Sequence, residues 1–533
     1  MPLKLRCATA ADSPAWIDLA LAALGPDYPS PLIYQPEWVA SQLNPDEGTP
    51  TWIAEMDGRI QCSVSLLSHS ANNPNPIFNL GRHLNRPESF TDGSAEALLR
   101  MIADLAAQHG QWTVGRIQAT DNALQILFEQ LGFFCVGYQP SKHALPQAGG
   151  TLFYVRPGHP EIQARLPISE SLPQVSELAH YVLESLGVPP PHFVRDGATG
   201  YPLQSNLRVH EASFEDFDLW RQQAQAANPP IEVSTGYNLG WGFLRLPPES
   251  TPRLLLGQRE DRVVAGLAFS YDATDHCLKI IDSFAIDDLS TGAMLLETIR
   301  LSLEQSQARY LEMDVLMTSP RLLKTAEQLG FIPVAYLPAF FVRQNRCEDV
   351  VKMVKLNQAY LSETAPLTAQ ARRLADIVDN NFQDLKIGIS VINMLRSLPI
   401  FEGLGDGELR KIARLFEQKL FRQGEMVFRQ SDLGTEAYIV LRGQVDIYLD
   451  TLTQPAATLN PGQIFGELAF LDGSPRTASA IARQATILLV VKRNDFQQLA
   501  QREPHLGMVI MRNVALDLSG KLRHANLAVK HTS

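Results

Sequence analysis

Glu467 and Arg476 stand in the stretch Phe-Gly-Glu-Leu-Ala-Phe-Leu-Asp-Gly-Ser-Pro-Arg-Thr-Ala-Ser-Ala, residues 465–480. An arginine carries a fixed cation with forked N–H donors, the best side-chain partner for a phosphate. A glutamate accepts hydrogen bonds, for instance from the hydroxyls of a ribose. Gly466 permits an unusual backbone or a close approach by a ligand. Leu468 to Leu471 suit one short helical turn, whose first N–H groups point outward and favour an anion. Asp472-Gly473 makes a turn with Pro475 shortly after. Thr477 adds a hydroxyl beside the arginine, and Ala478 and Ala480 keep the wall thin enough for a flat ring to lie close. The plainer reading of the same residues is a hairpin closed by a salt bridge between Glu467 and Arg476.

These side chains need a frame. Short β runs punctuated by Gly424, Gly434, Gly443 and Gly462 surround them, as a β jelly roll requires. The runs are Lys419 to Phe421, Met426 to Phe428, Glu436 to Arg442, Gln444 to Leu449, Ala456 to Leu459 and Thr486 to Lys492. Helical segments precede them at Ile387 to Leu398 and Asp406 to Phe416. Another follows at Pro504 to Leu522, with Leu506, Val509, Ile510, Val514 and Leu518 at helical spacing.

From near Asn393 to the C-terminus the chain resembles the cyclic nucleotide-binding domain of bacterial cAMP-receptor proteins and kinase regulatory subunits. Residues 465–480 match its phosphate-binding cassette. The resemblance implies that Glu467 holds the ribose 2′-hydroxyl and Arg476 the cyclic phosphate. Gly466, Leu468, Ala469 and Thr477 would offer main-chain contacts. Ser431 departs from the pattern, which has a glycine before the aspartate. A threonine after the arginine occurs in cGMP-selective eukaryotic members and in many bacterial domains. The bacterial style of the cassette favours cAMP over cGMP. In the family the C-terminal helix is either a lid over the base or the seam of a dimer.

At 533 residues the chain is long enough for three domains. Its 45% hydrophobic and 19% charged residues describe an ordinary soluble protein. A formal net charge of −11 argues against nucleic acid as a main partner. With the chain ending at Ser533, no DNA-reading helix-turn-helix is expected after the barrel. Five scattered cysteines without a CxxC pair fit a reducing cytoplasm, and no metal site is expected. No segment is long and apolar enough to cross a bilayer. Trp16 to Leu24 reads as an amphipathic helix rather than a signal peptide.

The remaining two thirds carry one pattern twice. The first copy runs from the strand Leu3 to Ala8, through the long helix Gly93 to Ala106, to Gln130-Leu131-Gly132-Phe133 and the strand Phe133 to Tyr138. The second runs from the strand Leu207 to Glu211, through the helix Gly292 to Gln305, to Leu329-Gly330-Phe331 and the strand Ile332 to Leu337. The β-α-β-β-β-α-β-α-β order resembles the GNAT acyltransferase fold. That fold cradles the pyrophosphate of acetyl-CoA at the loop before the long helix.

The resemblance places Gly93, Ala95 and Gly292 at acetyl-CoA-binding positions, although a simple turn into a helix explains Gly93 and Ala95 equally well. It also places Phe128 and Ala326 where the family has its proton-donating tyrosine, and Asp92 and Glu96 near the pyrophosphate. No catalytic residue is assigned. Asp282 and Asp287 could act as base or amine anchor, or could lie on a solvated strand end. Tyr237, Trp241 and Phe243 could line a pocket, or could pack on the sheet. Nothing is assigned to His69, His83, His109, His143 or His210.

The expected architecture is α+β and multidomain, with mixed α/β GNAT-like units at 1–156 and 206–356. A linker with a helix lies at 157–205, a helical linker at 357–392, and the jelly-roll domain with flanking helices at 393–533. The expected function is cyclic-nucleotide control of an N-acyltransferase acting on a protein lysine or small amine. The alternative is a non-catalytic switch built on degenerate scaffolds.

Overall fold

The computed structural model describes residues 3–26, 28, 31–44, 50–68, 77–109, 112–142, 150–157, 165–168, 170–189, 194–195, 198–203, 207–226, 252–273, 275–306, 308–343, 346–358, 360, 365–387, 394–396, 398–449, 453–516 and 519. Tyr237, Trp241, Phe243, His69 and His143 lie outside the described residues, as do residues 388–393 of the expected helix before the barrel. The chain divides into two units, Met1–Asn381 and Phe382–Ser533.

Unit 1 is built on one 14-stranded sheet. Its first seven strands are β1 (Lys4–Cys7), β2 (Thr51–Met56), β3 (Arg59–Ser68), β4 (Ile77–Asn85), β5 (Trp112–Gln118), β6 (Phe134–Gln139) and β7 (Thr151–Pro157). The next seven are β8 (Arg208–Glu211), β9 (Arg253–Arg259), β10 (Arg262–Asp272), β11 (Cys277–Ala285), β12 (Tyr310–Leu316), β13 (Ile332–Arg343) and β14 (Arg346–Leu356).

The spatial order is 1-2-3-4-5-7-6 followed by 13-14-12-11-10-9-8. Each half therefore has the same order, and the two meet through their sixth strands. Each half also has one parallel pair at the same place, β4 with β5 and β11 with β12. At the join, Gly137 of β6 pairs with Ala335 of β13. A Cβ on Gly137 would lie 2.2 Å from that of Ala335, so the close approach requires glycine.

The hairpin signals were legible. Asp57-Gly58 and Glu260-Asp261 take positive φ values of 54°, 76°, 48° and 64°, as two-residue hairpin turns need.

The helices of unit 1 are α1 (Ser13–Leu24), α2 (Pro36–Leu43), α3 (Ser94–His109), α4 (Asn122–Gln130), α5 (Pro173–Ser185), α6 (Phe214–Ala226), α7 (Ser290–Ser306) and α8 (Pro320–Gln328). A ninth, α9 (Ala369–Ile387), contains the point where the two units divide. The long helices begin where the sequence placed them. Ser213 caps α6 by accepting from the Asp216 N–H at 3.1 Å.

Unit 2 pairs two four-stranded sheets. Its strands are β15 (Glu417–Phe421), β16 (Met426–Phe428), β17 (Glu436–Arg442), β18 (Val445–Tyr448), β19 (Ala457–Leu459), β20 (Ile464–Phe465), β21 (Ser479–Ala482) and β22 (Thr486–Lys492). One sheet runs 15-22-17-20 and the other 16-21-18-19. Val440, Val445, Phe465, Ala480, Leu488 and Val490 fill the space inside.

Among the described residues, the helices that flank the strands of unit 2 include α10 (Asp406–Ala413), α11 (Glu467–Asp472), α12 (Arg493–Arg502) and α13 (residues 504–516). Leu506, Ile510 and Val514 of α13 are buried with Phe401, Leu409 and Phe496, as the helical spacing predicted. Strands β20 and β21 were not predicted. β20 has two residues, and β21 is drawn from the small residues of Ser-Ala-Ile-Ala. Both are specified by their sheet partners rather than by their own pattern.

Candidate functional site

The cassette is assembled from the end of β20, helix α11 and the segment leading into β21. Gly466 has φ 74° and ψ 9°, a left-handed turn that lets α11 start directly after the strand. Gly473 closes α11 in the same conformation, at φ 79°. Arg493 fixes the far end of α11 by donating from Nε to the Phe470 carbonyl at 2.5 Å and from Nη2 to the Ala469 carbonyl. Glu467 is the first residue of α11 and half-buried. Leu468 and Thr477 are exposed, and Ala469 is buried.

Arg476 is the centre of the arrangement. Its backbone is clamped between two loop residues: its N–H donates to the Asp432 carbonyl at 2.9 Å, and its carbonyl accepts from Ser431 N–H at 2.8 Å. The side chain runs inward, only 2% exposed. Nη1 donates to the carbonyls of Glu436 at 2.9 Å and Gly466 at 3.0 Å. Cζ lies 4.3 Å from the ring centre of Phe428 and 5.6 Å from that of Tyr438. These are cation–π contacts that strengthen in a dry setting.

The carboxylate that meets Arg476 belongs to Glu436, at 3.5 Å from Nη2. Nε is buried without a hydrogen-bond partner. A buried guanidinium N–H without an acceptor is costly unless something supplies one.

Two glycines make room for this side chain. A Cβ on Gly434 would lie 2.5 Å from Nη2 and 2.6 Å from Nε, and one on Gly466 would lie 2.8 Å from Nη1. The guanidinium is thus held in a cradle of main chain and aromatic rings, and the absence of a side chain on Gly434 leaves room beside Nε and Nη2. Of the predicted residues, Gly466 and Arg476 touch, and Glu467 follows Gly466 at the start of α11. Sequence reading missed Gly434 as the residue that leaves this room, Phe428 and Tyr438 as the aromatic floor, and Glu436 as the acidic partner. The run Ser-Asp-Leu-Gly-Thr-Glu carried that signal, but only the pairing of β17 with its neighbours brings it to the arginine.

Behind α11 lies an apolar cavity of about 40 Å³. Phe401, Phe470, Val491, Ile510 and Val514 line it, together with Glu467.

In unit 1, Gly93 has φ 81° with open space around it, and Ala95 is fully buried in the first turn of α3. The Asp92 carboxylate accepts from the Ser94 N–H at 2.8 Å, so a negative charge already sits at this helix start. At α7, Asp287 accepts from Leu289 N–H at 3.0 Å and from Ser290 Oγ at 2.6 Å, and pairs with Arg259 at 2.8 Å. A Cβ on Gly292 would lie 2.5 Å from the Pro202 carbonyl oxygen, so that glycine admits the chain's own backbone. Asp282 pairs with Arg221 at 3.1 Å. Phe128 and Ala326 are fully buried. Phe128 packs against Phe133, with ring centres 4.6 Å apart. Among the described residues no cluster of His, Cys, Asp and Glu could hold a metal, and no helix is long and apolar enough to cross a membrane.

The sequence profile of the cyclic nucleotide-binding domain matches residues 418–503, which span the barrel and the cassette. A cyclic AMP receptor protein of Thermus thermophilus is 35% identical over 136 residues, covering 25% of this chain and 61% of that protein. A cyclic nucleotide-gated potassium channel of Mesorhizobium japonicum is 30% identical, covering 26% of this chain and 38% of the channel. A cAMP-dependent protein kinase regulatory subunit of Pyricularia oryzae is 30% identical, covering 20% and 27%. The chain thus spans less than two thirds of each of these relatives. The C-terminal unit carries a cyclic nucleotide-binding domain.

Proposed function

We propose that the protein senses a 3′,5′-cyclic nucleotide, cAMP ahead of cGMP, through its C-terminal unit. The observation that carries this is the guanidinium of Arg476, buried, fixed through Nη1 by two carbonyls, and unpartnered at Nε. Nε and Nη2 together form the fork that grips two phosphate oxygens. Glu467 would accept from the ribose 2′-hydroxyl. Gly466, Leu468, Ala469 and Thr477 would contribute main-chain groups around the same ligand. The preference for cAMP draws on the names of the Thermus receptor and the kinase subunit.

Calorimetric titration of the whole chain tests this. We expect heat with cAMP, weaker binding of cGMP, and loss of about 100-fold or more in affinity with Arg476→Ala, as when a charge-assisted pair of hydrogen bonds is removed. No heat with either nucleotide, from wild type and from Glu436→Gln alike, overturns the reading.

For unit 1 the reading we favour is a non-catalytic effector that responds to the nucleotide. The carboxylates of Asp92 and Asp287 at the starts of α3 and α7 disfavour a pyrophosphate there. The main chain of Pro202 closes over Gly292, and Phe128 and Ala326 have no proton to give. A GNAT-type acyltransferase is the second reading. It is favoured by the repeated strand order with its single parallel pair, and by the open space around Gly93. Thermal shifts with acetyl-CoA, with and without cAMP, separate the two. A shift supports the acyltransferase, and none with any acyl-CoA leaves the effector.

A further inference from the structure

Arg476 already has an anion beside it. Nη1 is committed to two main-chain carbonyls, so the guanidinium cannot turn, and an incoming anion must use the Nε–Nη2 edge. The Glu436 carboxylate approaches Nη2, one of the two nitrogens of that edge, at 3.5 Å, longer than the roughly 2.7–2.9 Å of a good charge-assisted bond. Glu436 is also the nearer of the two to water. Its side chain is 30% exposed against 2% for Arg476. The carboxylate is therefore more open to water than the guanidinium, close enough to compete and loosely enough held to leave. Lys492 stands opposite Glu436 across the β17–β22 pairing, where its ammonium already pairs with Glu417 at 3.2 Å.

We propose that Glu436 is a built-in rival of the ligand phosphate. By this proposal, which rests on the nucleotide reading of the Arg476 site, binding requires the phosphate to displace the Glu436 carboxylate from Nη2. The residue would lower the affinity for every cyclic nucleotide. Its main-chain carbonyl keeps holding Nη1 throughout, so only the side chain moves.

The test compares wild type, Glu436→Gln and Glu436→Ala in the whole chain, by calorimetry with cAMP and by thermal melting with and without it. Glutamine keeps the shape and removes the charge. The expected result is cAMP affinity about tenfold tighter in both variants, the effect of removing a like charge a few ångströms from the phosphate. Without nucleotide, both variants melt lower than wild type, because Arg476 has lost its counter-charge; with saturating cAMP the difference closes or reverses. Wild type silent but Glu436→Gln binding also supports the proposal. If wild type binds cAMP and the variants bind equally or more weakly, Glu436 positions the arginine instead, and the rivalry is overturned while the nucleotide site stands. If neither wild type nor Glu436→Gln gives heat with cAMP or cGMP, the nucleotide reading fails and the rivalry falls with it.

Discussion

The chemistry of this protein turns on how one arginine is placed. A surface arginine would offer a solvated and mobile charge. Arg476 is instead stripped of water, pinned by two carbonyls and laid over Phe428, so its free edge is preorganised before any ligand arrives. Gly434 is the residue most sensitive to this arrangement. Its backbone is not in the left-handed region, so alanine meets no conformational penalty there, yet a Cβ would press within 2.7 Å of three guanidinium atoms. Gly434→Ala should therefore lower the melting temperature of the C-terminal unit, because the pinned guanidinium has to give way, and weaken cyclic-nucleotide binding about tenfold or more, the scale of one displaced charged hydrogen bond. Calorimetry beside a thermal melt checks both halves. Unchanged affinity would mean that Arg476 can retreat without loss.

At the scale of elements, the cassette depends on two ties. Arg493 of α12 donates to the Phe470 carbonyl of α11 and to the Ala469 carbonyl, which also accepts from the Gly473 N–H at 3.0 Å. Asn513 of α13 does the same for the turn before α10, donating through Nδ2 to the carbonyls of Ile400 at 3.2 Å and Glu402 at 2.8 Å. Asn513 is buried, while Ile400 is half-buried and Glu402 exposed. Asn513→Ala should destabilise the C-terminal unit by about 1 kcal/mol, the net contribution of an ordinary intramolecular hydrogen bond. Urea unfolding followed by a probe in that unit measures it. The cavity behind α11 sits among these same helices, so this packing leaves space beside the helix that carries Glu467.

Across the whole of unit 1, the two halves of the sheet are joined by charge as well as by pairing. Glu312 and Asp314 of β12 are buried with Lys279 of β11, Lys352 of β14 and Arg116 of β5. Lys142, after β6, reaches Glu312 at 2.8 Å. Lys352 bonds Asp314 at 2.5 Å. Burial alone would raise the two carboxyls, but the lysines around them hold both below the usual carboxylate range. Lys279 is the poorly compensated member. Burial outweighs its pull toward Asp314 and lowers it from 10.5 to about 8.

The sign of its contribution follows. Between pH 8 and 10.5 the unfolded amine still holds a proton that the folded one has released, so stability rises with pH across that window. Below it, the buried charge opposes folding in full. Lys279→Gln removes this dependence. The unfolding free energy of wild type relative to the variant should climb from pH 8 to pH 10 and stay flat from pH 6 to pH 7.5. Chemical denaturation at each pH checks it, and a flat difference throughout would contradict the placement of Lys279.

The cassette was legible because its chemistry lies within sixteen consecutive residues. Gly466, Arg476 and the short helix between them are local, and local spacing survives in sequence. The doubled pattern of unit 1 was legible for a similar reason, since hydrophobic period and turn chemistry repeat with each copy. Which strands join was not written locally. The seam between β6 and β13 depends on Gly137 meeting Ala335, residues almost two hundred positions apart whose smallness means nothing until the strands touch. Glu436 is the same case within the site. In sequence it is one acid among 57 acidic residues, and only the approach of β17 to Arg476 gives its carboxylate a partner. Sequence alone determined which residues could grip a phosphate, because that follows from side-chain chemistry and short spacing. The tertiary structure alone decided which carboxylate contends for the grip, because burial and long-range pairing set the distance between charges.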